Sequence, residues 1–307
     1  MPTGRIALVS VLFLATPSLA QEPVVLKHEG WVAAVAFSPD GKTLASAGSD
    51  NVVRLWDVGT WKPKGVLKGH KDCVCAVAWT PDSTAVATGS YDRTAKLASE
   101  NGYLEIRLHR AVVTAAWTDS VRMVAASLDG TVSLGVGPEK VFIRHKSWVN
   151  GLAVTKGLLL ASASSDGTVA IANLPDVPSE TRPFFLEGGA GEVRCVAFSP
   201  NGKLLAAGNR YHTVRVWDVA SRKEVITLAG HMSDVWSIAF SPDGKTLAAA
   251  ATDWKKPSKV KLWDTTTWKE RGHLEVPGEI LAIAYSPKGD WLAVGSWDKT
   301  VRVFAVR

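Results

Sequence analysis

Short apolar stretches alternate with turn-forming residues along the chain. The stretch WVAAVAF at residues 31–37 is followed by SPDG, and then by TLASAG and VVRLWD, in which apolar and polar residues alternate. Pro, Asp and Gly in this order favour a tight turn, and a period of two is typical of β-strands. The stretch KGVLKGH adds a fourth strand. The pattern therefore predicts a unit of four short antiparallel strands.

This unit recurs through the sequence. AFSPDGKTLA occurs at residues 36–45 and again at 239–248, and AFSPNGKLLA follows the same plan at 197–206. The residue just before each turn marks the unit, and these residues are Phe37, Trp79, Trp117, Val154, Phe198, Phe240 and Tyr285. The successive gaps are 42, 38, 37, 44, 42 and 45 residues. Seven units therefore fill residues 21–307 and leave no room for a second domain.

A four-stranded sheet of this size cannot bury both of its faces alone. It has to stack on neighbouring sheets, and four short strands on a period near 42 are typical of a β-propeller blade. The sequence therefore predicts an all-β protein, a seven-bladed propeller whose blades are four-stranded antiparallel sheets.

The balance of charges gives little indication of a polyanionic partner. The 307 residues include 35 basic and 29 acidic side chains, which gives a formal charge of +6. A basic protein can bind a polyanion, but here the Lys and Arg residues are scattered and form no runs. We therefore expect no nucleic-acid binding.

The first twenty residues, MPTGRIALVSVLFLATPSLA, have the features of a secretory signal peptide. An Arg precedes an apolar run over residues 6–14, and Ser18 and Ala20 are small residues at the positions that signal peptidase reads. The run is too short to span a bilayer. We predict a signal peptide over residues 1–20, a mature protein that is secreted or periplasmic, and no stable membrane anchor after cleavage. Retention of the segment as an anchor is the alternative.

Several short motifs resemble those of the WD-repeat family of β-propellers. The motifs are RLWD at 54–57, RVWD at 215–218, KLWD at 261–264, and GH at 69–70 and 230–231. The resemblance covers residues 22–307. It implies that the N-terminal strand, PVVLKH, joins the last blade, whose own third strand is VRVFAVR. A WD-repeat body behind an export signal indicates a bacterial source.

The resemblance also implies a hydrogen-bonded chain of four side chains within each blade. In the first unit these residues are His28, Ser46, Asp50 and Trp56. The second, fourth and sixth units each lack one member, which is replaced by Ala98, Ala172 and Ala249 respectively. We expect the role of this tetrad to be structural, because its links are ordinary hydrogen bonds between side chains.

No catalytic motif is evident in the sequence. Five of the seven His residues fall at or next to the structural His position, and nothing resembles a nucleophile elbow, a phosphate loop or a haem-attachment Cys pair. We therefore predict no enzyme activity, no catalytic residue, no metal and no cofactor. The alternative is an enzyme, or a ligand- or glycan-binding propeller, with a site at the channel mouth. Its candidate residues are the acids Glu192, Asp234 and Glu279.

In the WD-repeat family, the loops before the first strand and between the second and third strands gather around the channel. Aromatic and Arg side chains at such positions are typical of interface hot spots. The partner-binding candidates are Trp148, Trp236, Trp297, Tyr91, Arg194, Arg210 and, on a four-residue insertion in the sixth unit, Trp254. Trp31 is expected to pack between blades. We predict a monomeric, non-enzymatic scaffold with a protein partner.

Overall fold

A computed structural model describes residues 22–99, 102–107, 112–117, 123–134, 141–174, 182–189, 191–252 and 257–306. These residues form 28 strands in seven four-stranded antiparallel sheets, which confirms the predicted fold class. The same residues contain no helix, and thus no helix that could cross a membrane. The predicted signal peptide lies outside the described ranges, so its boundary stays a prediction.

Each sheet is one blade, and its strands are hydrogen-bonded in sequence order. Blade 1 comprises β2 (Val32–Phe37), β3 (Thr43–Gly48), β4 (Val53–Asp57) and β5 (Pro63–Leu67). Blade 2 comprises β6 (Val74–Trp79), β7 (Ala85–Ser90), β8 (Thr94–Ser99) and β9 (Gly102–Arg107). Blade 3 comprises β10 (Val112–Trp117), β11 (Met123–Ser127), β12 (Thr131–Leu134) and β13 (Val141–Arg144).

The remaining blades follow the same order, except that the last one takes its fourth strand from the N-terminus. Blade 4 comprises β14 (Val149–Val154), β15 (Leu159–Ser164), β16 (Thr168–Asn173) and β17 (Phe184–Glu187). Blade 5 comprises β18 (Val193–Phe198), β19 (Leu204–Asn209), β20 (Val214–Asp218) and β21 (Glu224–Leu228). Blade 6 comprises β22 (Val235–Phe240), β23 (Thr246–Ala251), β24 (Ser258–Asp264) and β25 (Glu270–Val276). Blade 7 comprises β26 (Ile280–Tyr285), β27 (Trp291–Ser296), β28 (Thr300–Ala305) and β1 (Val24–Lys27).

The seven blades close into a ring. The first strand of every blade contacts the first strands of both neighbouring blades, so these seven strands surround the channel. Closure follows the prediction, because β1 pairs with β28 with Val24 opposite Val303 and Leu26 opposite Val301. Leu26 is buried, whereas the adjacent Val25 is 46% exposed. The N-terminal strand therefore closes the ring with both hydrogen bonds and apolar packing.

The core lies between adjacent blades rather than within any one of them. The second strand of a blade is covered on both faces, as in β3, where all six residues are buried. Small side chains such as Ala45 and Ala47 on that strand let the next blade approach closely. Each blade packs one face against the preceding blade and the other face against the following blade. Its stability therefore depends on both neighbours.

Every innermost strand carries a β-bulge at its second residue. The pairing with the second strand shifts there in all seven blades. The bulged positions are Ala33, Cys75, Val113, Asn150, Arg194, Trp236 and Leu281. A bulge re-aims the side chain that it leaves out of the ladder. This repeated irregularity lies at one end of the channel.

The predicted tetrad of blade 1 forms a continuous hydrogen-bonded chain. Trp56 Nε1 donates to Ser46 Oγ at 2.7 Å, Ser46 Oγ lies 2.7 Å from His28 Nε2, and His28 Nδ1 lies 3.2 Å from Asp50. Arg54 also donates to Asp50. Burial acts to raise the pKa of Asp50, but the His28 and Arg54 contacts outweigh it and hold the pKa below its usual value.

Blades 2 and 4 keep the His, the hydroxyl residue and the Asp of the tetrad. His70 Nε2 lies 2.7 Å from Thr88 Oγ1, and its Nδ1 lies 2.8 Å from Asp92. In blade 4, His145 Nε2 lies 2.8 Å from Ser162 Oγ. The imidazole is therefore held between a hydroxyl and a carboxylate even where the Trp is missing.

Blade 6 lacks the hydroxyl, and this leaves two buried nitrogen atoms unpaired. Ala249 occupies the position that Ser46 has in blade 1. Neither His231 Nε2 nor Trp263 Nε1 has a hydrogen-bond partner among the described residues. Burial, together with the charges of Lys261 and His212, lowers the pKa of His231 to about 4. The buried imidazole is therefore neutral near pH 7.

Acidification from pH 7 to pH 5 is expected to lower the free energy of unfolding by about 2 kcal/mol through His231. The unfolded chain takes up a proton below about pH 6.5. The folded chain does so only near pH 4, so stability is present above pH 6.5 and is lost as the pH falls towards 4. Urea unfolding at pH 7 and pH 5 measures the difference.

The matched variant for this measurement is His231→Gln. It should show a smaller pH dependence, although His145, whose pKa burial also lowers, contributes in the same window. Carboxylates whose pKa is lowered, such as Asp92 with a pKa of about 2, affect the free energy of unfolding at lower pH. If the stability of His231→Gln depended on pH as strongly as that of the wild type, His231 would not be the source of the pH dependence.

Candidate binding site at the channel mouth

A cavity of about 540 Å³ opens at the end of the channel where the bulges lie. Its volume is within the range of ligand-binding pockets. Five aromatic side chains and one Arg line it: Trp31, Tyr91, Trp148, Arg194, Trp236 and Trp297. The remaining lining residues are Ala33, Cys75, Leu128, Asn150 and Leu281. All seven blades contribute at least one of these residues.

Three positions in the repeat supply the lining. Trp31 and Trp148 directly precede an innermost strand, and Arg194 and Trp236 occupy bulges. Tyr91, Leu128 and Trp297 directly follow the second strand of their blades. Because the seven blades are related by rotation, equivalent positions of different blades meet at the channel mouth. The repeat therefore concentrates side chains that are distant in the sequence.

Trp31 and Trp297 stack across the seam where the ring closes. Their ring centroids are 5.2 Å apart, and the planes are inclined by 15°. Trp31 was expected to pack between blades; it does so through this stack, and it also lines the cavity. One wall of the mouth is thus held by an aromatic pair from blades 1 and 7.

Arg194 lies at the centre of a network between blades 5 and 6. Its guanidinium carbon lies 4.7 Å from the centroid of Trp236. Its terminal nitrogen atoms lie 3.0 Å from Glu192 and 3.5 Å from Asp234. Glu192 also accepts a hydrogen bond from Arg210 at 2.9 Å. Two cations and two carboxylates neutralise one another in this network.

The candidates predicted from the sequence are distributed as follows. Tyr91, Trp148, Arg194, Trp236 and Trp297 share the cavity. Arg210 does not line the cavity; its side chain is exposed on the rim and paired with Glu192. Trp254 lies outside the described residues.

Two of the three acids of the alternative hypothesis are engaged by the same cation. Glu192 and Asp234 are both paired with Arg194. Partial burial raises the pKa of Glu279, but Glu279 is not among the residues that line the cavity. Among all described residues, no group of three His, Cys, Asp or Glu side chains could hold a metal ion.

None of the described lining residues is His, Asp or Glu, and burial raises the pKa of Tyr91, one of the two ionisable residues besides Arg194, to about 12. The Cys75 thiol donates to the Gly89 carbonyl at 3.5 Å, and burial raises its pKa, which keeps it protonated. Trp148 and Trp297 are 55% and 50% exposed, and Tyr91 is 42% exposed. These exposed aromatic side chains can pack against a bound group.

The bulge residues Ala33, Cys75, Asn150 and Leu281 were missed as lining residues in the sequence analysis. The signal that could have identified them is their common position, two residues into each innermost strand, where Arg194 and Trp236 had already been selected. The bulge also breaks the alternation of period two, because the first and fourth residues of strands such as VRCVAF and VWSIAF are buried instead of the first, third and fifth.

Comparison with known proteins agrees with this architecture. A family model described as "WD domain, G-beta repeat" (WD40) matches residues 21–57, 61–98, 181–218, 222–264 and 266–304, which together exceed half of the chain. The protein named THO complex subunit 3 from Arabidopsis thaliana is 32% identical over 125 residues, 39% of this chain and 39% of that protein. WD40 propellers generally mediate protein–protein interactions. The chain belongs to the WD40-repeat family.

Proposed function

We propose that this protein is a non-enzymatic scaffold that binds a protein partner at the channel mouth. The observation that carries the proposal is the convergence of five aromatic side chains and Arg194 from six blades on one cavity. Aromatic residues and Arg are enriched at interface hot spots, because they bury a large area and lose little side-chain entropy. The absence of His, Asp and Glu from the described lining residues favours binding over catalysis.

Two further exposed apolar side chains lie at the mouth end of blades 5 and 6. Tyr211 is 61% exposed and Met232 is 80% exposed, and both lie in loops at the same end of their blades. Exposed apolar groups that adjoin a pocket are typical of protein-binding surfaces. A partner that fills the cavity would therefore find further apolar contacts beside it.

The charges around the mouth favour a protein over a nucleic acid. Arg194 and Arg210 are both paired with carboxylates. Nucleic-acid binding depends on unpaired basic groups that neutralise phosphates. We propose a protein partner and no nucleic-acid partner. The similar protein from Arabidopsis thaliana is named as a subunit of a complex, which supports a scaffold role. We also propose that the free protein is monomeric.

We further propose that the protein acts in the periplasm or outside the cell. The support is the sequence of residues 1–20, with its apolar run and its small residues at positions 18 and 20. The partner would then be another exported protein. Affinity capture should therefore start from the exported fraction of the native source.

Capture with the wild type is expected to enrich a protein that Trp148→Ala/Trp236→Ala/Trp297→Ala fails to retain. Removing three aromatic side chains from the cavity should cost well over tenfold in affinity, because hot-spot truncations cost about 2 kcal/mol or more. Mass spectrometry of the eluted proteins gives the comparison. Thermal unfolding checks that the variant is folded.

The matched control is Val66→Ala/Val225→Ala, which alters exposed apolar residues on outer strands away from the mouth. It should retain the partner as the wild type does. Equal recovery with the folded triple variant would contradict binding at the mouth. Absence of the protein from the exported fraction would contradict export.

A further inference from the structure

Three apolar side chains from consecutive blades form one side of the channel mouth. Tyr91, Leu128 and Trp148 belong to blades 2, 3 and 4, and we refer to them as the apolar arc. Beneath the arc, the Asn150 amide already donates to Ser165 Oγ at 2.9 Å and to the Val193 carbonyl at 2.8 Å. The arc therefore offers apolar surface whose neighbouring amide donor is already engaged.

The opposite side of the mouth is occupied by its own contacts. Trp31 and Trp297 cover each other in their stack. One face of Trp236 is taken by the guanidinium of Arg194. An incoming group therefore meets free aromatic surface mainly at Tyr91 and Trp148.

The electrostatics of the mouth disfavour a charged occupant. Arg194 is the one charged side chain among the described lining residues. A cation would approach Arg194 and find no carboxylate among the described lining residues to pair with. An anion would approach an Arg whose terminal nitrogen atoms are already bound to Glu192 and Asp234. Burying an unpaired charge is costly in either case.

A sugar is disfavoured for a different reason. Its hydroxyl groups lose hydrogen bonds to water when they enter a pocket, and the loss has to be made good by polar groups there. The amide nitrogen of Asn150 and the terminal nitrogen atoms of Arg194 already have partners within the protein, which leaves Arg194 Nε as the one buried polar atom of the described lining without a partner. The apolar arc can instead pack against a group that loses few hydrogen bonds on binding.

We infer that the mouth recognises an uncharged apolar side chain of a partner polypeptide, aromatic or long aliphatic, which packs on Tyr91, Leu128 and Trp148. This inference rests on the proposed function and narrows it, because it names the chemistry that enters the cavity. The wall formed by Arg194, Trp236, Trp297 and Trp31 limits the space opposite the arc.

Selection of short peptides from a random display library on the intact protein tests the inference. The wild type should enrich peptides that share an aromatic or long aliphatic residue, with Lys, Arg, Asp and Glu depleted at that position. Binding of a selected peptide should weaken at least tenfold in Tyr91→Ala and in Trp148→Ala. It should stay within twofold of the wild type in Val225→Ala, an exposed outer-strand control.

A charge placed on the arc gives a second, independent test. Leu128→Glu introduces a carboxylate where the described lining has none, and it should shift the selection towards Lys- and Arg-containing peptides. Enrichment of charged peptides by the wild type, with binding lost in Trp148→Ala, would overturn the inference but support the proposed function. Selected peptides that bind equally well to Tyr91→Ala and Trp148→Ala would overturn both. Capture of glycans alone on a parallel array would also overturn both.

Discussion

Replacing Leu26 by Asp is expected to lower the free energy of unfolding by more than about 4 kcal/mol. Leu26 lies on β1, is 4% exposed, and packs in the core shared by blades 1 and 7. The change removes buried apolar contacts and places a carboxylate in their position. Because β1 is the strand that completes blade 7, the ring itself should lose its closure. Urea unfolding followed by Trp fluorescence measures the effect.

Val25→Asp is the matched control for this substitution. Val25 is the next residue on the same strand, faces solvent, and pairs with Arg302 across the ladder. The same charge at this position should change stability by no more than about 0.5 kcal/mol. Comparable losses for Leu26→Asp and Val25→Asp would show that the strand does not close the ring by packing.

Ser46→Ala is expected to lower the free energy of unfolding by about 2–4 kcal/mol, because it leaves two buried nitrogen atoms without partners. Ser46 Oγ is within 2.7 Å of both His28 Nε2 and Trp56 Nε1, and Ser46 is fully buried. The variant gives blade 1 the arrangement that blade 6 already has. Denaturant unfolding with an unchanged m-value would assign the loss to the folded state.

The reciprocal change provides the control for this prediction. Ala249→Ser supplies the missing hydroxyl between His231 Nε2 and Trp263 Nε1, and it should raise the free energy of unfolding by about 1–2 kcal/mol. Ala249 holds the same register position in β23 that Ser46 holds in β3. If both substitutions changed stability with the same sign, the hydroxyl would not be the cause.

The fold was predictable from the sequence because its determinants are local and repeated. The SPDG turn, the alternating strands and the RLWD-type motifs recur with a period near 42, and a small sheet can bury its faces only by stacking. Closure by residues 24–27 followed from the strand that the last unit lacks. Blades 3 and 4 were harder to assign, and residues 99–180 lie outside the matched WD40 repeats.

The site was predictable only in part, because its contacts join distant units. Tyr91 and Trp148 were identified from their positions in the repeat. The stack of Trp31 on Trp297 and the pairing of Arg194 with Asp234 were not, since each joins side chains of different blades. The direction of a bulged side chain depends on a shift in pairing, and the break in alternation that marks this shift in each innermost strand was not interpreted as a bulge in the sequence analysis.

Binding of the partner at the channel mouth is tested most directly by the dissociation constant of the purified partner for Trp148→Ala. Trp148 is half exposed, lines the cavity and forms part of the apolar arc. Titration calorimetry should show at least a tenfold increase over the wild type, and a change of less than twofold for Val225→Ala. An unchanged dissociation constant for a folded Trp148→Ala protein would contradict binding at the mouth.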